Sequence, residues 1–509
     1  MAIPAPHKPP VPTSPLPVPA GRDLSKEPAF DLSDIQADLL LGHSKKSEAV
    51  VFFVITDLAA FAAFVKALPI TTAAQVYRRP GQAKAMVTNQ YPPTTRFSVA
   101  FTADGLSTVG QPMHDPALDV LKAGLHSRAV AELNDDDPGN WIVGGGKETI
   151  HGVFIVTWRD IIGDIEKAAM AIFAVAKSGF DIVKIVPGNT RAGGFAGKEH
   201  FGFEDGVSQP GLRGCVDSAK TIPLTQSVKD PDQGLPGQDL LWPGEFLFGY
   251  SGQPTTGDDI TKEGDMELPE PWMANGGFLV VRRLIQFVPE MHAGVAAAAT
   301  KTGIQPALLE SQLVGRWPSG APVILSPATD NPTLGGDETK NNDFEFDVDT
   351  LGTICPWAAH IRKSYPRNDV RHNQAPTDDQ REEEEVRTQQ RRLLRRGIQF
   401  GPEVTPEEDA VKHTTIDRGL LFRCYVTDLD GQFEFVQKNW VNNFHFVQKQ
   451  SGHDSIIGQL PKAADRTFFG VGTPGSKPSF DFKPWVKMTG GGYFFAPSLR
   501  FLSNLGMAA

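Results

Sequence analysis

The sequence predicts an α+β chain made of two ferredoxin-like units, each an antiparallel sheet with helices packed on it. Three observations predict it. The order strand–helix–strand–strand–helix–strand can be read between residues 49 and 186. A similar order starts again at residue 277. Between the two, residues 210–272 are rich in Pro, Gly and Asp and read as long connections, a kind of loop that tends to be functional. The length of 509 residues suggests two to four domains. The expected division is a Pro-rich tail at 1–30, a first unit at 31–209, the connections at 210–272 and a second unit at 273–509.

The first stretch, MAIPAPHKPPVPTSPLPVPAG, has no apolar signal-peptide core, and its prolines favour an extended, solvated tail. Leu32–Gly42 reads as a short helix, with Ser33 or Asp34 as cap and Gly42 as stop. Ala49–Ile55 is a continuous apolar run, the pattern of a buried strand. Asp57 then precedes LAAFAAFVKAL, a helical pattern. Phe97–Phe101 and His151–Thr157 are further strands, with Ala103–Leu106 a loop or short helix between them. Asp160–Lys177 is amphipathic at the helical period, and Ile182–Val186 completes the unit. In the second half, Gly277–Leu284 is a strand, Phe287–Thr302 a helix and Asp343–Asp347 a strand of period two. Gly419–Tyr425 follows as a strand and Gly431–Asn443 as a helical stretch. Arg381–Arg392 (REEEEVRTQQRR) reads as a solvated, charged helix face.

A net charge of −11 argues against nucleic acid as a partner, because phosphate binding needs a basic face. No apolar run approaches the length of a membrane span. Cys215, Cys355 and Cys424 are too few for a disulfide framework and fit no zinc spacing, so each reads as a small core residue. The sequence as read carries no secretory leader, and location stays open.

Three stretches carry chemistry. In Cys355-Pro356-Trp357-Ala358-Ala359-His360-Ile361-Arg362-Lys363 one imidazole follows two alanines in an apolar patch. Such a histidine can ligate a metal or a haem iron, the alanines would let a flat macrocycle approach, and the cations beside it could neutralise propionates. A hydrogen-bonded core histidine explains the same residues. In His200-Phe201-Gly202-Phe203-Glu204-Asp205-Gly206-Val207-Ser208, Gly202 and Gly206 bracket an acidic pair and allow a tight turn close to a flat ligand. A surface turn in which Asp205 bonds its own backbone explains it too. In Leu393-Leu394-Arg395-Arg396-Gly397-Ile398-Gln399-Phe400-Gly401, two arginines stand between an apolar pair and a glycine, which also fits a helix C-terminus with Gly397 just beyond it.

Taken together and in this order, GFEDG at 202–206, CPWAAHIRKSYPR at 355–367, LRRGIQFG at 394–401 and DRGLLF at 417–422 resemble the dye-decolourising peroxidase family, over most of the chain. The length and the Pro-rich loops look like its long fungal-type branch. The resemblance implies two ferredoxin-like units in a dimeric, α+β barrel-like arrangement within one chain, one haem b held by the second unit, and hydrogen peroxide as substrate. It implies His360 as the proximal iron ligand, Asp205 as the distal carboxylate and Arg395 as the distal arginine. Arg362 matches a propionate partner, Leu420 and Phe422 match apolar residues over the distal face, and Asp454 in SGHDSIIG matches the carboxylate that accepts a hydrogen bond from the proximal imidazole. A tyrosine common in the family after the arginine motif is Phe400 here, which removes one radical site. The resemblance is also compatible with export from the cell.

The residue types then suggest a mechanism. Asp205 would carry a proton from one peroxide oxygen to the other, as base and then acid, which favours an acidic optimum. Arg395 would stabilise charge on the leaving oxygen. Leu420 and Phe422 leave little room for a bulky dye, so large reductants would react at the surface. Trp440, in the polar context Gln437–Asn442, is the candidate electron relay, although a tryptophan packing a helix on a sheet accounts for it equally. Small phenols are the other expected reductants. Asp343, Glu345, Asp347 and Asp349 would put four carboxylates on one strand face, a set Mn²⁺ could use, or simply a solvated edge strand. A competing reading is a haem-handling protein that shares His360 but performs no peroxidase chemistry; another is a non-haem binding protein on the same scaffold.

Overall fold

The computed structural model describes residues 28–76, 95–159, 163–173, 179–215, 234, 236–254, 262–369, 387–460, 466–470 and 478–506. The Pro-rich tail through residue 27, both ends of the 160–177 stretch and residues 381–386 lie outside the described residues.

The first unit forms as its pattern requires. β1 (Ser47–Ile55) leads through Asp57 into α1 (Leu58–Ala67), and the Asp57 carboxylate accepts the Ala60 amide at 3.0 Å as an N-cap. α1 turns Phe61, Ala62, Phe64 and Val65 inward. β2 (Arg96–Phe101), β3 (Gly152–Trp158), α2 (Ile165–Phe173) and β4 (Phe180–Asn189) follow. The spatial order is β4-β1-β3-β2 with antiparallel pairing throughout, the ferredoxin-like arrangement. Only Ala37–Leu40 of the expected 32–42 helix is helical.

The second unit comprises β5 (Gly277–Gln286), α3 (Val288–Thr302), β6 (Leu394–Arg395), β7 (Ile398–Phe400), β8 (Gly419–Val426) and β9 (Val486–Ala496). Its order, β9-β5-β8-β6 with β7 also on β8, repeats that of the first unit. Two expectations needed correcting. The second strand position is filled by 394–400, not by Asp343–Asp347, which runs through turns into a short 3-10 segment at Asp347–Asp349. The reason is partnership: alternation alone makes no strand unless an edge is free to receive it, and β8 takes 394–400. Gly397 therefore lies between two short strands rather than beyond a helix. The strand β9 escaped prediction because the three glycines of VKMTGGGYFFA interrupt the apolar signal. The 431–443 stretch is helical, but wound as π-helix at Leu429–Glu434 and Val436–Val441.

One nine-stranded sheet results among the described residues, its halves joined where Phe101 pairs Phe495. Its two ends approach without strand hydrogen bonds: a Cβ on Gly188 of β4 would meet Ile398 Cγ2 of β7 at 2.5 Å. One face of every major strand points into a shared interior, with Val50, Phe52, Val153, Ile155, Leu279, Val281, Leu421, Tyr425 and Phe494 in one cluster. The opposite face packs under helices, as with Val51 and Phe53 of β1. Strands buried on both faces explain why β1 reads as a continuous apolar run.

The run expected as a charged, solvated helix is different where it is described. Thr388, Gln389 and Arg392 are buried, and Arg392 Nε donates to Asp239 Oδ2 at 2.6 Å. The three cysteines are free and buried, as core residues.

Candidate active site

The site forms on the helix-bearing face of the second sheet. Along β8, Leu421, Arg423 and Tyr425 point to the shared interior, so Leu420, Phe422 and Cys424 point the other way. Leu420 and Phe422 are the two residues of β8 that are not fully buried. Arg395 of β6 pairs with Cys424 and projects on this same face. His360 opens the short helix α4 (His360–Ser364), behind the fully buried Ala358 and Ala359. Its Nδ1 lies 2.8 Å from Asp454 Oδ2. Asp454 is itself buried, and its other oxygen accepts the amides of Ile456 at 2.7 Å and Ile457 at 3.0 Å. A carboxylate so fixed accepts the Nδ1 hydrogen and leaves Nε2 with its lone pair outward. The His360 side chain is 25% exposed in an otherwise buried wall, so that nitrogen has space before it.

The Asp205 loop is built by Glu199. Its buried carboxylate accepts the amides of Phe201 at 2.8 Å and Phe203 at 2.9 Å, and Gln286 Nε2. Burial pushes the Glu199 carboxyl up, and those donors pull it back. Gly202 and Gly206 sit at φ +102° and +77°, conformations that favour glycine, and a Cβ on either would meet nothing within 4 Å. Asp205 is half-buried, its amide donates to Gly197 O at 2.9 Å, and its carboxylate makes no hydrogen bond or ion pair among the described residues.

Arg395 is tied to this loop. Its Nη2 donates to Ser208 O, three residues after Asp205. The Gln209 side chain spans its main chain: Oε1 accepts the Arg395 amide at 3.2 Å and Nε2 donates to Arg395 O at 3.1 Å. The turn Gly315–Gly320 touches both halves of the site. A Cβ on Gly315 would meet Ile361 Cγ1 at 2.4 Å and Ala359 Cβ at 3.4 Å, and one on Gly320 would meet Val207 Cγ2 at 3.4 Å and Glu204 Cβ at 3.5 Å. The Asp205 loop is thus bonded to Arg395, Leu420 and Phe422 lie on the same sheet face as Arg395, and the Gly315–Gly320 turn lies against both that loop and the His360 segment.

Three expectations change. Arg362 is completely buried, and all five of its donors are used: on Asp369 at 2.5 and 2.7 Å, on Asp349 Oδ2 at 3.1 Å, and on the carbonyls of Cys355 and Asp349 at 2.6 and 2.8 Å. It has no donor left for a propionate, and it anchors the His360 segment instead. Lys363 is equally buried, with Nζ on Asn443 O at 2.6 Å. Trp440 is 5% exposed despite its polar sequence context, stacked on Phe446 at 5.2 Å and edge-on to Phe435 at 5.7 Å. The four-carboxylate face does not exist: Asp343 is exposed, while Asp349 is buried against Arg362. Gln209, Glu199 and Arg316 were missed, because what marks them is long-range contact and not local pattern.

A profile of the DyP dimeric alpha+beta barrel domain matches residues 34–192. The dye-decolorizing peroxidase msp1 of Mycetinis scorodonius is 32% identical over 98% of this chain and 91% of its own length. A dye-decolorizing peroxidase of Mycena epipterygia is 32% identical over 94% of this chain and 88% of its own. Among solved structures, an ancestral D-type dye decolorizing peroxidase superposes with a TM-score of 0.76 at 33% identity, covering 94% of this chain and 100% of that one. A dye-decolorizing peroxidase in complex with 2,6-dimethoxyphenol gives 0.75 at 30% identity, covering 93% and 99%. A histidine fixed by a carboxylate, an aspartate without a partner and an arginine clamped to the aspartate's loop therefore belong to a chain of the dye-decolorizing peroxidase family.

Proposed function

We infer that this chain is a haem peroxidase that reduces hydrogen peroxide to water and oxidises dyes and phenols by one-electron steps. The single observation that carries the reading is the state of Asp205: a half-buried carboxylate without a partner, on a glycine-bracketed loop tied to Arg395. A structural aspartate in such a place would be hydrogen-bonded.

The residues present fit a haem. His360 offers a free Nε2, there is open space at Gly202 and Gly206, and Leu420 and Phe422 are apolar side chains left partly exposed. His360 would ligate the iron and Asp454 would hold its imidazole in one tautomer. Bound haem b supplies the redox chemistry, giving two electrons to peroxide and regaining them singly from the reductant. Asp205 takes the proton from one peroxide oxygen and returns it to the other, so that water can leave. Arg395 stabilises negative charge on the departing oxygen. Leu420 and Phe422 keep bulky reductants from this space, so dyes exchange electrons at the surface, with Trp440 and its aromatic stack as the relay. A structure with 2,6-dimethoxyphenol among the relatives supports phenols as reductants. Mn²⁺ has less support, since no group of three His, Cys, Asp or Glu side chains among the described residues could hold a metal ion.

The test is spectroscopic. The haem-reconstituted protein should show a Soret band that shifts on adding peroxide and returns on adding a dye. Asp205→Asn should keep the band and lose about 10²- to 10⁴-fold in the rate of the shift. A band that never responds to peroxide would favour haem handling over peroxidase chemistry.

A further inference from the structure

We propose that Arg316, with Arg367 behind it, binds the carboxylate edge of the haem, the role that Arg362 cannot fill. This rests on the haem peroxidase reading. Arg316 is 4% exposed. Several other buried arginines stand on carboxylates: Arg282 on Asp135, Arg392 on Asp239, Arg418 on Glu408, Arg423 on Asp38 and Glu48. Arg316 does not. Among the described residues it donates only to uncharged acceptors: Nη1 to Gly320 O at 2.8 Å and Asn341 O at 2.7 Å, and Nη2 to Asn342 Oδ1 at 2.6 Å. Its Nε has no hydrogen-bond partner among the described residues and is not sealed in packing, so it borders open space, and Nη2 uses only one of its two hydrogens, on Asn342.

The surroundings make the charge more costly. Arg367 is also buried, and its Nη1 reaches only the carbonyls of Gly237, Asn342 and Phe344 at 2.8 to 3.0 Å. Burial, with Arg367 and Arg395 nearby, pushes the Arg316 guanidinium down to about 9. A cation held in this way with like charges beside it calls for an anion. The location says which anion. Arg316 stands in the Gly315–Gly320 turn, which touches the His360 segment on one side and the Asp205 loop on the other. Asn342, which receives Arg316, donates to Val207 O at 2.7 Å, beside Ser208, where Arg395 is tied. A group between those two walls is one held by His360 below and facing Asp205 above. The anionic part of such a group at its rim is a carboxylate, and a guanidinium with two free donors suits it.

The experiment compares haem with haem dimethyl ester, which keeps the ring and the iron and lacks both carboxylates. Apo-protein is titrated with each and the Soret band recorded. Wild type should bind haem about 10- to 100-fold more tightly than the ester, the range of a charge-assisted hydrogen bond to a buried ion. Arg316→Gln should lose most of that preference, with ester affinity near wild type, and Arg316→Lys should keep part of it. If Arg316→Gln fails to fold, the Arg316→Lys and Arg367→Gln variants carry the same comparison. Undiminished discrimination in a folded Arg316→Gln or, failing that, in both other variants overturns the proposal. Wild type that binds neither compound instead overturns the haem reading itself.

Discussion

His360 Nδ1 and Asp454 Oδ2 are 2.8 Å apart, and the second oxygen of Asp454 is held by two backbone amides. The aspartate is therefore fixed before it touches the imidazole, and it sets the tautomer and orientation of His360 instead of following them. Asp454→Asn should weaken haem binding by about 10- to 100-fold, as partners of metal-ligating histidines commonly do. The same variant should raise the reduction potential, because a less electron-rich imidazole favours the reduced iron. A spectroelectrochemical titration with an unchanged midpoint would show that Asp454 acts only by packing.

Gln209 binds both main-chain groups of Arg395, as a neighbouring strand would. Gln209→Met keeps the length and removes both hydrogen bonds, each worth about 1 kcal/mol. The rate of reaction with peroxide should fall about tenfold while haem affinity holds. Equal losses in both quantities would mean a general loosening of the loop.

Arg362 has two buried carboxylates on it, Asp349 and Asp369. Arg362→Leu leaves both without that partner and should cost about 3–5 kcal/mol. The loss should already appear in urea unfolding of the apo-protein. A loss seen only with haem bound would restore the propionate role for this residue.

His200 Nε2 donates to Phe400 O at 2.9 Å, and its Nδ1 is buried without a partner. Burial, helped by Arg191, pushes its pKa down to about 4, from an ordinary 6.5. Between these values the unfolded chain holds a proton that the folded one lacks, so stability falls as pH falls through this window. His43 and His453, lowered to about 3 and about 4, act in the same direction. His200→Gln should flatten the acid-side slope by up to about 1.4 kcal/mol per pH unit, read from urea unfolding at pH 6.5, 5.5 and 4.5. An unchanged slope would place the His200 proton elsewhere.

Trp440 stacks on Phe446 with its rings 9° from parallel. Trp440→Ser would open a cavity of the kind that costs about 3–5 kcal/mol, so Trp440→Phe is the cleaner probe. It should lower turnover of bulky dyes and leave that of 2,6-dimethoxyphenol unchanged. Equal turnover of both by wild type and variant would make the indole a packing residue alone.

Sequence by itself determined the first sheet, since β1, β3 and the helix after Asp57 carry local signals strong enough to read, and it determined His360, Asp205 and Arg395 as candidates through the stretches around them. It could not determine the second strand of the second unit, because Asp343–Asp347 and Leu394–Phe400 both offer short alternating runs and only the open edge of β8 chooses between them. Nor could it tell which arginine has spare donors. Arg362 and Arg316 look alike on paper, and their difference lies in Asp349 and Asp369, which the fold brings to one guanidinium and withholds from the other. Local pattern encodes what a residue can do; a hydrogen bond, once made to a distant partner, decides whether it is still available to do it.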